Sequence, residues 1–264
     1  MSKYSYKIDF MVWSYSRVSS YKTCPYGWKF GYLNKEKSVQ NFFSELGLHH
    51  HKIMELWWAK KLDTIGMASY YKEFYNESIK LRPPSFLEKY EFSKKSYENG
   101  LNFYKNFTWD IDDYELLGNE MTIEATYKDI SLTIRPDTLV REKSTGKVIL
   151  IDYKSSNPFQ KKSGNPIKSK IAPYKEQLSL YAYFIEKELG IKIDEYMLIF
   201  PKFSLDKNLT FDYNKKAGQK VVDEFYETIQ KIKEDEEFVA KPDKFFCSNI
   251  CGFRNVCDKK DVKK

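Results

Sequence analysis

The chain has 264 residues, 42% hydrophobic and 31% charged, which excludes a disordered polypeptide and allows one large domain or two small ones. A net charge of +7 is compatible with an anionic partner without naming one. No apolar run approaches the roughly 20 residues of a membrane span, and the N-terminus carries no continuous apolar signal core. No membrane partner is therefore expected, and the expected setting is cytoplasmic, in a bacterium or in the host of a phage, with cysteines kept reduced.

In chain order, SYSRVSSYKTCPYGWKFGYL (14–33) reads as a short helix broken at Cys24-Pro25, because the residue before a proline is pushed out of helical angles. Residues 41–62 read as a helix around GLHHHKIME. Gly47, His51 and Glu55 recur every fourth residue and share a face. That makes a weak metal-ligand pattern, with Gly47 leaving room beside His51; a helical histidine is more often structural. The pattern gives His49 and His50 no role. Helical periodicity continues over 66–107, interrupted at Arg82-Pro83-Pro84, and alternation from about 114 marks strands.

TIRPDTLVREKSTGKVILIDYKSS (133–156) reads as a hairpin turning on the polar, glycine-containing KSTGK. Period two places Asp152 and Lys154 on one face and Tyr153 on the other, and folding about the turn sets Asp137 opposite them. One reading is a surface ion pair, worth roughly 0–1 kcal/mol. The other is a hard-metal site, where two carboxylates bind Mg²⁺ or Mn²⁺ and a lysine orients a water. After a polar loop, a helix at about 173–189 puts Gln177 and Tyr181 on one face; alone, this is an ordinary half-buried helix surface. IDEYMLIFPKF supplies a further strand and 215–235 an amphipathic helix. The tail FFCSNICGFRNVCDKK carries Cys247, Cys251 and Cys257, and Cys24 is the one other cysteine. Four thiolates suit an iron–sulfur cluster or tetrahedral zinc; free or disulfide-bonded cysteines are the alternative. No GxxxxGK[ST] loop occurs, so no ATP-driven motor is expected. The 21 Tyr and 19 Phe among many lysines suit stacking on single-stranded nucleic acid, and an AT-rich coding bias explains them as well.

The ordered set S-Y-S-R…C-P, G-x3-H-x3-E, P-D-x14-D-Y-K, Q-x3-Y and C-x3-C-x5-C resembles the PD-(D/E)xK nuclease superfamily. Within its RecB-like branch it is similar to the iron–sulfur nucleases, namely AddB-type nuclease domains and CRISPR-associated adaptation exonucleases. The resemblance runs from about residue 14 to 257. It implies an α/β fold with a restriction-endonuclease-like core, in which helices flank a mixed central sheet. A helical N-terminal region and a cysteine clasp joining both termini would complete it. One nuclease domain over 1–264 is implied, with a helical part at about 14–110, a catalytic core at about 114–205, and a final helix and cysteine cluster at about 215–257.

The resemblance also implies roles. Asp137, Asp152, His51 and the Tyr153 carbonyl would hold Mg²⁺ or Mn²⁺, and Lys154 would orient the attacking water. Gln177 and Tyr181 would help place DNA in the active site. Cys24, Cys247, Cys251 and Cys257 would hold a 4Fe–4S cluster, with Zn²⁺ the alternative. Glu120 stands where relatives often carry a glutamate, in a loose surrounding pattern; Glu55 is similarly unassigned. Two departures from the pattern stand out: Arg135-Pro136 precedes the first acid where many relatives have a small residue, and the cysteine spacing is looser than C-x2-C. The activity implied is that of a metal-dependent deoxyribonuclease, an exonuclease on single-stranded DNA or DNA ends in recombination, repair or CRISPR-type adaptation. A helicase, a recombinase or CRISPR adaptation proteins are the implied partners. A non-catalytic DNA-binding scaffold and a structure-selective endonuclease stand as alternatives.

Overall fold

A computed structural model describes residues 3–259. The elements follow in the order α1 (Ser5–Ile8), α2 (Tyr15–Thr23), α3 (Pro25–Tyr32), α4 (Phe42–Trp58), α5 (Thr64–Ser78), α6 (Ser85–Glu88), α7 (Phe92–Lys105), β1 (Tyr114–Asn119), β2 (Ile123–Tyr127), β3 (Ile130–Ile134), β4 (Thr138–Glu142), β5 (Val148–Tyr153), α8 (Lys168–Leu189), β6 (Glu195–Ile199), β7 (Leu209–Asp212), α9 (Lys215–Glu234) and α10 (Lys244–Asn249). Helix starts follow the capping residues. Ser14 Oγ accepts from the Arg17 amide to begin α2, Asp63 accepts from the Gly66 amide to begin α5, and Pro25 occupies the first turn of α3, where its missing N–H is harmless. Helix α8 starts at Lys168, earlier than the expected 173, with Pro173 inside it.

Two compact units result. The first combines residues up to Asn41, Glu124–Ile134 and the chain from Lys220 onward. Its centre is aromatic: Trp28 stacks on Phe238 at 5.5 Å and on Trp13 at 6.4 Å. Val222, Phe225, Ile229 and Ile232 form the buried stripe of α9. The β3 end of the β2–β3 hairpin is joined by a bridge between Leu132 and Trp13. The tail is seated by shape. Phe253 stacks on Phe30 at 5.8 Å, and its ring lies where a side chain on Gly31 would be: a Cβ there would sit 2.9 Å from the ring. Gly27 and Gly31, one helical turn apart on α3, thus form a notch for Phe253.

The second unit comprises Phe42–Ile123 and Arg135–Gln219. It holds a five-stranded sheet in the order β1-β4-β5-β6-β7, parallel between β5 and β6 and antiparallel elsewhere. Every residue of central β5 is buried, as expected where helices cover both faces. Ile149, Ile151 and Tyr153 join a core with Trp57 and Trp58 of α4, Tyr71 of α5 and Tyr104 of α7. The alternate residues Leu150 and Asp152 face the other way. Strand β7, the short helix α10 and the separation of β2–β3 from the main sheet were not apparent in the sequence pattern. No helix among the described residues is long and apolar enough to cross a membrane.

Filling the notch gives a test of this packing. Gly31→Leu should destabilise the protein by about 1–3 kcal/mol through overpacking. Adding Phe253→Ala should restore part of that loss in thermal unfolding, because the two volumes then exchange. An additive double variant would mean that the ring and the glycine do not meet.

Candidate active site

The site grows from the β4–β5 hairpin. Gly146 takes a φ of +72° in the turn, where its amide donates to the Glu142 carbonyl. Thr138 pairs with Ile151, so the next step of the register sets Asp137 against Asp152, as the alternation implied. The Tyr153 amide donates to Asp137 Oδ2 at 3.0 Å. The chain beyond β5 stays bound to the sheet, with the Lys154 amide donating to the Ile199 carbonyl at 2.9 Å.

His51 arrives from α4. Its Nε2 lies 2.9 Å from the Tyr153 carbonyl and its Nδ1 lies 3.4 Å from Asp137 Oδ2. With Nε2–H donating to the carbonyl, Nδ1 faces the carboxylates. Glu120 is the third member, 4.0 Å from the same Nδ1. Ligand atoms of His51, Glu120 and Asp137 all lie within 4.8 Å of one another. Glu120 is placed by an irregularity. The β1–β4 register shifts between Leu116 and Gly118, Glu120 adopts a φ of +51°, and its amide donates to the Asp137 carbonyl at 2.7 Å. Glu55, the other unassigned acid, pairs with Lys52 at 2.9 Å and is not part of this group.

Lys154 is held from several sides. Its Nζ donates to Asp152 Oδ1 at 2.9 Å and to Gln177 Oε1 at 3.1 Å, and Gln177 Nε2 donates to the Tyr181 hydroxyl at 3.1 Å. Its ammonium also lies 5.1 Å from the ring of Tyr174, whose hydroxyl is 2.7 Å from Ser156 Oγ. Tyr174 was not evident from the sequence; it lies three residues before Gln177, so helical spacing could have found it. Asp152 Oδ2 is 2.7 Å from Lys154 Nζ but has no hydrogen bond of proper direction, and it is buried.

Burial of like charges governs the electrostatics. Desolvation first, and then the Asp152 carboxylate, push Asp137 up to about 7. Burial pulls His51 down, but Glu120, Asp137 and Asp152 outweigh it and its pKa is raised. Burial likewise opposes the charge on Lys154, and Asp152 outweighs it, so its pKa is raised. The donor set of one imidazole nitrogen and several carboxylate oxygens suits a hard divalent cation such as Mg²⁺ or Mn²⁺. Asp152 Oδ2 is ion-paired with the Lys154 ammonium and carries no directed hydrogen bond.

The other two histidines belong to the core. His49 lies 3.3 Å from the Tyr71 carbonyl and His50 lies 2.9 Å from the Tyr104 hydroxyl; burial lowers the pKa of both. Gly47 does not leave open room: a Cβ there would meet Ser155 Oγ at 3.3 Å, so the glycine serves the close approach of α4 to the 155 loop.

All four cysteines are free thiols, and all lie in the first unit. Amides point at three of the sulfurs: Gly27 and Lys241 at Cys24 (3.4 and 3.5 Å), Asp243 at Cys247 (3.4 Å) and Phe253 at Cys251 (3.4 Å). Burial, and then the thiols of Cys247, Cys257 and Cys24, raise the Cys251 pKa. Among the described residues, the group drawn together tightly enough to hold a metal ion is His51, Glu120 and Asp137, and the expected cysteine clasp is not shown as a closed ligand set.

The buried acids give a prediction with a definite sign. Asp137 has a folded pKa of about 7, above its ordinary 3.8. Its ionisation therefore destabilises metal-free protein increasingly as pH rises from about 4 to 7. Asp137→Asn should raise metal-free stability at pH 8 by roughly 1–3 kcal/mol, with the gain fading towards pH 4. Thermal unfolding in chelator at both pH values reads this directly; equal effects at both would remove the assigned burden.

The sequence profile of the PD-(D/E)XK nuclease superfamily matches residues 12–258. No curated protein sequence is significantly similar to the chain. Among solved structures, the crystal structure of SSO0001 is 17% identical with a TM-score of 0.31, over 57% of this chain. The chain spans 62% of the length of that protein. With a profile match over nearly its whole length, the chain belongs to the PD-(D/E)XK nuclease superfamily.

Proposed function

We propose that the chain is a metal-dependent deoxyribonuclease that hydrolyses phosphodiester bonds, acting as an exonuclease on single-stranded DNA or DNA ends. The observation that carries this reading is the meeting of Asp137, Asp152 and Lys154 at one end of the hairpin, beside His51 and Glu120. His51, Asp137, Asp152 and Glu120 are the residues that would hold Mg²⁺ or Mn²⁺, with the Tyr153 carbonyl at their side. Such a cation, when bound, supplies a polarised phosphate and a water of lowered pKa.

The chain's own groups do the rest. Lys154 directs its ammonium at the developing negative charge or at the attacking water. Asp152 Oδ1 and Gln177 fix where that ammonium points, and Tyr181 fixes Gln177 in turn. The Tyr174 ring closes the remaining side. In-line attack by the water's oxygen forms one P–O bond as the other breaks; the water gives up one proton to solvent and the departing sugar oxygen takes one up from it, so that one water is consumed per bond cleaved.

The same reading gives Cys24, Cys247, Cys251 and Cys257 to a 4Fe–4S cluster. Amides directed at the sulfurs suit thiolates, whose charge they offset. The group would be structural, since hydrolysis transfers no electrons and the acids lie in the other unit.

Asp152→Ala and Lys154→Ala should each lower cleavage by about 10²-fold or more. DNA affinity should stay within a few-fold, because contacts to other phosphates carry most of it. The measurement is cleavage of end-labelled and circular, single- and double-stranded DNA with Mn²⁺ or Mg²⁺, which also separates exonuclease, endonuclease and binder. Near wild-type cleavage by either variant would dismiss the assignment. Anaerobically purified protein should be brown and carry about four irons per chain, and Cys24→Ser should release metal as fully as Cys251→Ser does. One zinc per chain would support the rival metal, and a metal-free, fully active protein would remove the site.

A further inference from the structure

An open cleft of about 590 Å³ lies beside the ligand triad, within the second unit. Its two ends differ in chemistry. One end holds His51, Glu120 and Lys154; the other is the exposed edge of α4, with Phe43, Ser44 and Leu48. Leu48 is 60% exposed, although Leu46 and Ile53 of the same helix are fully buried. Phe43 is propped from behind by Phe42 at 5.7 Å and Phe92 at 5.9 Å, so its ring is held in place. The rim charge nearest the middle is neutralised, because Lys52 pairs with Glu55. At about 1.5 Å per residue, Leu48 stands about 4.5 Å along the helix from His51 and Phe43 about 12 Å. That reach covers the sugar and base attached to a phosphate at the triad, and the volume suits one such unit.

We propose that Leu48 and Phe43 form a wall on which one unpaired nucleobase, next to the scissile phosphate, is stacked. The proposal rests on the nuclease reading and narrows its substrate to a single strand or a frayed end. In a duplex each base face is covered by its neighbours, so apolar side chains take over a face only where a base has left the stack. Of the residues lining the apolar end, Phe43 and Leu48 carry no side-chain donor or acceptor for a base edge. The wall therefore selects strandedness and not base identity.

The test is binding in chelator, where no cleavage occurs. A short fluorescent single-stranded oligonucleotide is compared with its abasic counterpart by anisotropy. Wild type should bind the base-bearing strand about tenfold tighter, within the range of base–aromatic stacking. Leu48→Ala should narrow that ratio by several-fold and Leu48→Trp should widen it, both leaving the affinity for the abasic strand unchanged. Because Leu48 is exposed, neither variant threatens the fold. A ratio unchanged in both variants overturns the proposal. Cleavage assays are read separately: protein that cleaves DNA with an unchanged ratio loses only the wall. Protein that shows the ratio and cleaves nothing keeps the wall and loses the nuclease reading.

Discussion

Two carboxylates that repel each other at the end of one hairpin, Asp152 buried and Asp137 largely so, are the constraint on which the site in the second unit depends. Asp137 and Asp152 sit opposite by register, and burial with mutual repulsion holds Asp137 near neutrality at about 7. No chain would bring them together for stability alone. They are tolerated because the surroundings are over-determined. The Tyr153 side chain is anchored at the other face, with its hydroxyl 2.6 Å from Trp58 Nε1. The Tyr153 amide and carbonyl therefore stand fixed, one donating to Asp137 and the other facing His51. A single buried tyrosine thus transmits the rigidity of the aromatic core to both members of the ligand pair.

The legible part of the site was the part written in regular periods. Asp152 and Lys154 share a face because strands alternate, and Gln177 and Tyr181 share one because helices turn 3.6 residues. Glu120 was hard to place because a register shift and a left-handed residue put it there, and neither leaves a periodic trace. The histidine triplet was ambiguous in a different way. Three adjacent residues on a helix point in directions 100° apart, so one faces the hairpin while two enter the core. By spacing, Gly47 leaves room beside His51; in the structure that room is taken by Ser155, a distinction that depends on how closely another segment approaches. Tyr174 lies one turn before Gln177, so helical spacing sets it on the same face, but its partners Lys154 and Ser156 come from the segment after β5 and spacing within α8 names neither.

In the first unit, apolar packing brings the cysteine-bearing segments together. The Phe253 ring, between Cys251 and Cys257 in sequence, settles into the notch on α3, whose first turn is capped by the Cys24 sulfur. The tail and the N-terminal segment are thereby held side by side by apolar packing, with backbone amides turned to the sulfurs. Any group the thiols hold would bind between segments that packing has already brought side by side, so less ordering entropy would remain to be overcome on binding.

One carboxylate in the candidate site has two oxygens in different circumstances. Asp152 Oδ1 accepts from Lys154, while Oδ2, as close to the ammonium, receives no directed hydrogen bond. Lys154 is largely buried and keeps its charge because Asp152 outweighs the desolvation. Removing the carboxylate would strand a buried cation with only an amide oxygen and a ring face, and removing the lysine would strand two buried acids. The two residues are therefore coupled in stability as well as in any chemistry. Loss of activity in either single variant mixes the two, and only the double variant, compared with both singles, separates a lost reaction from a disordered site.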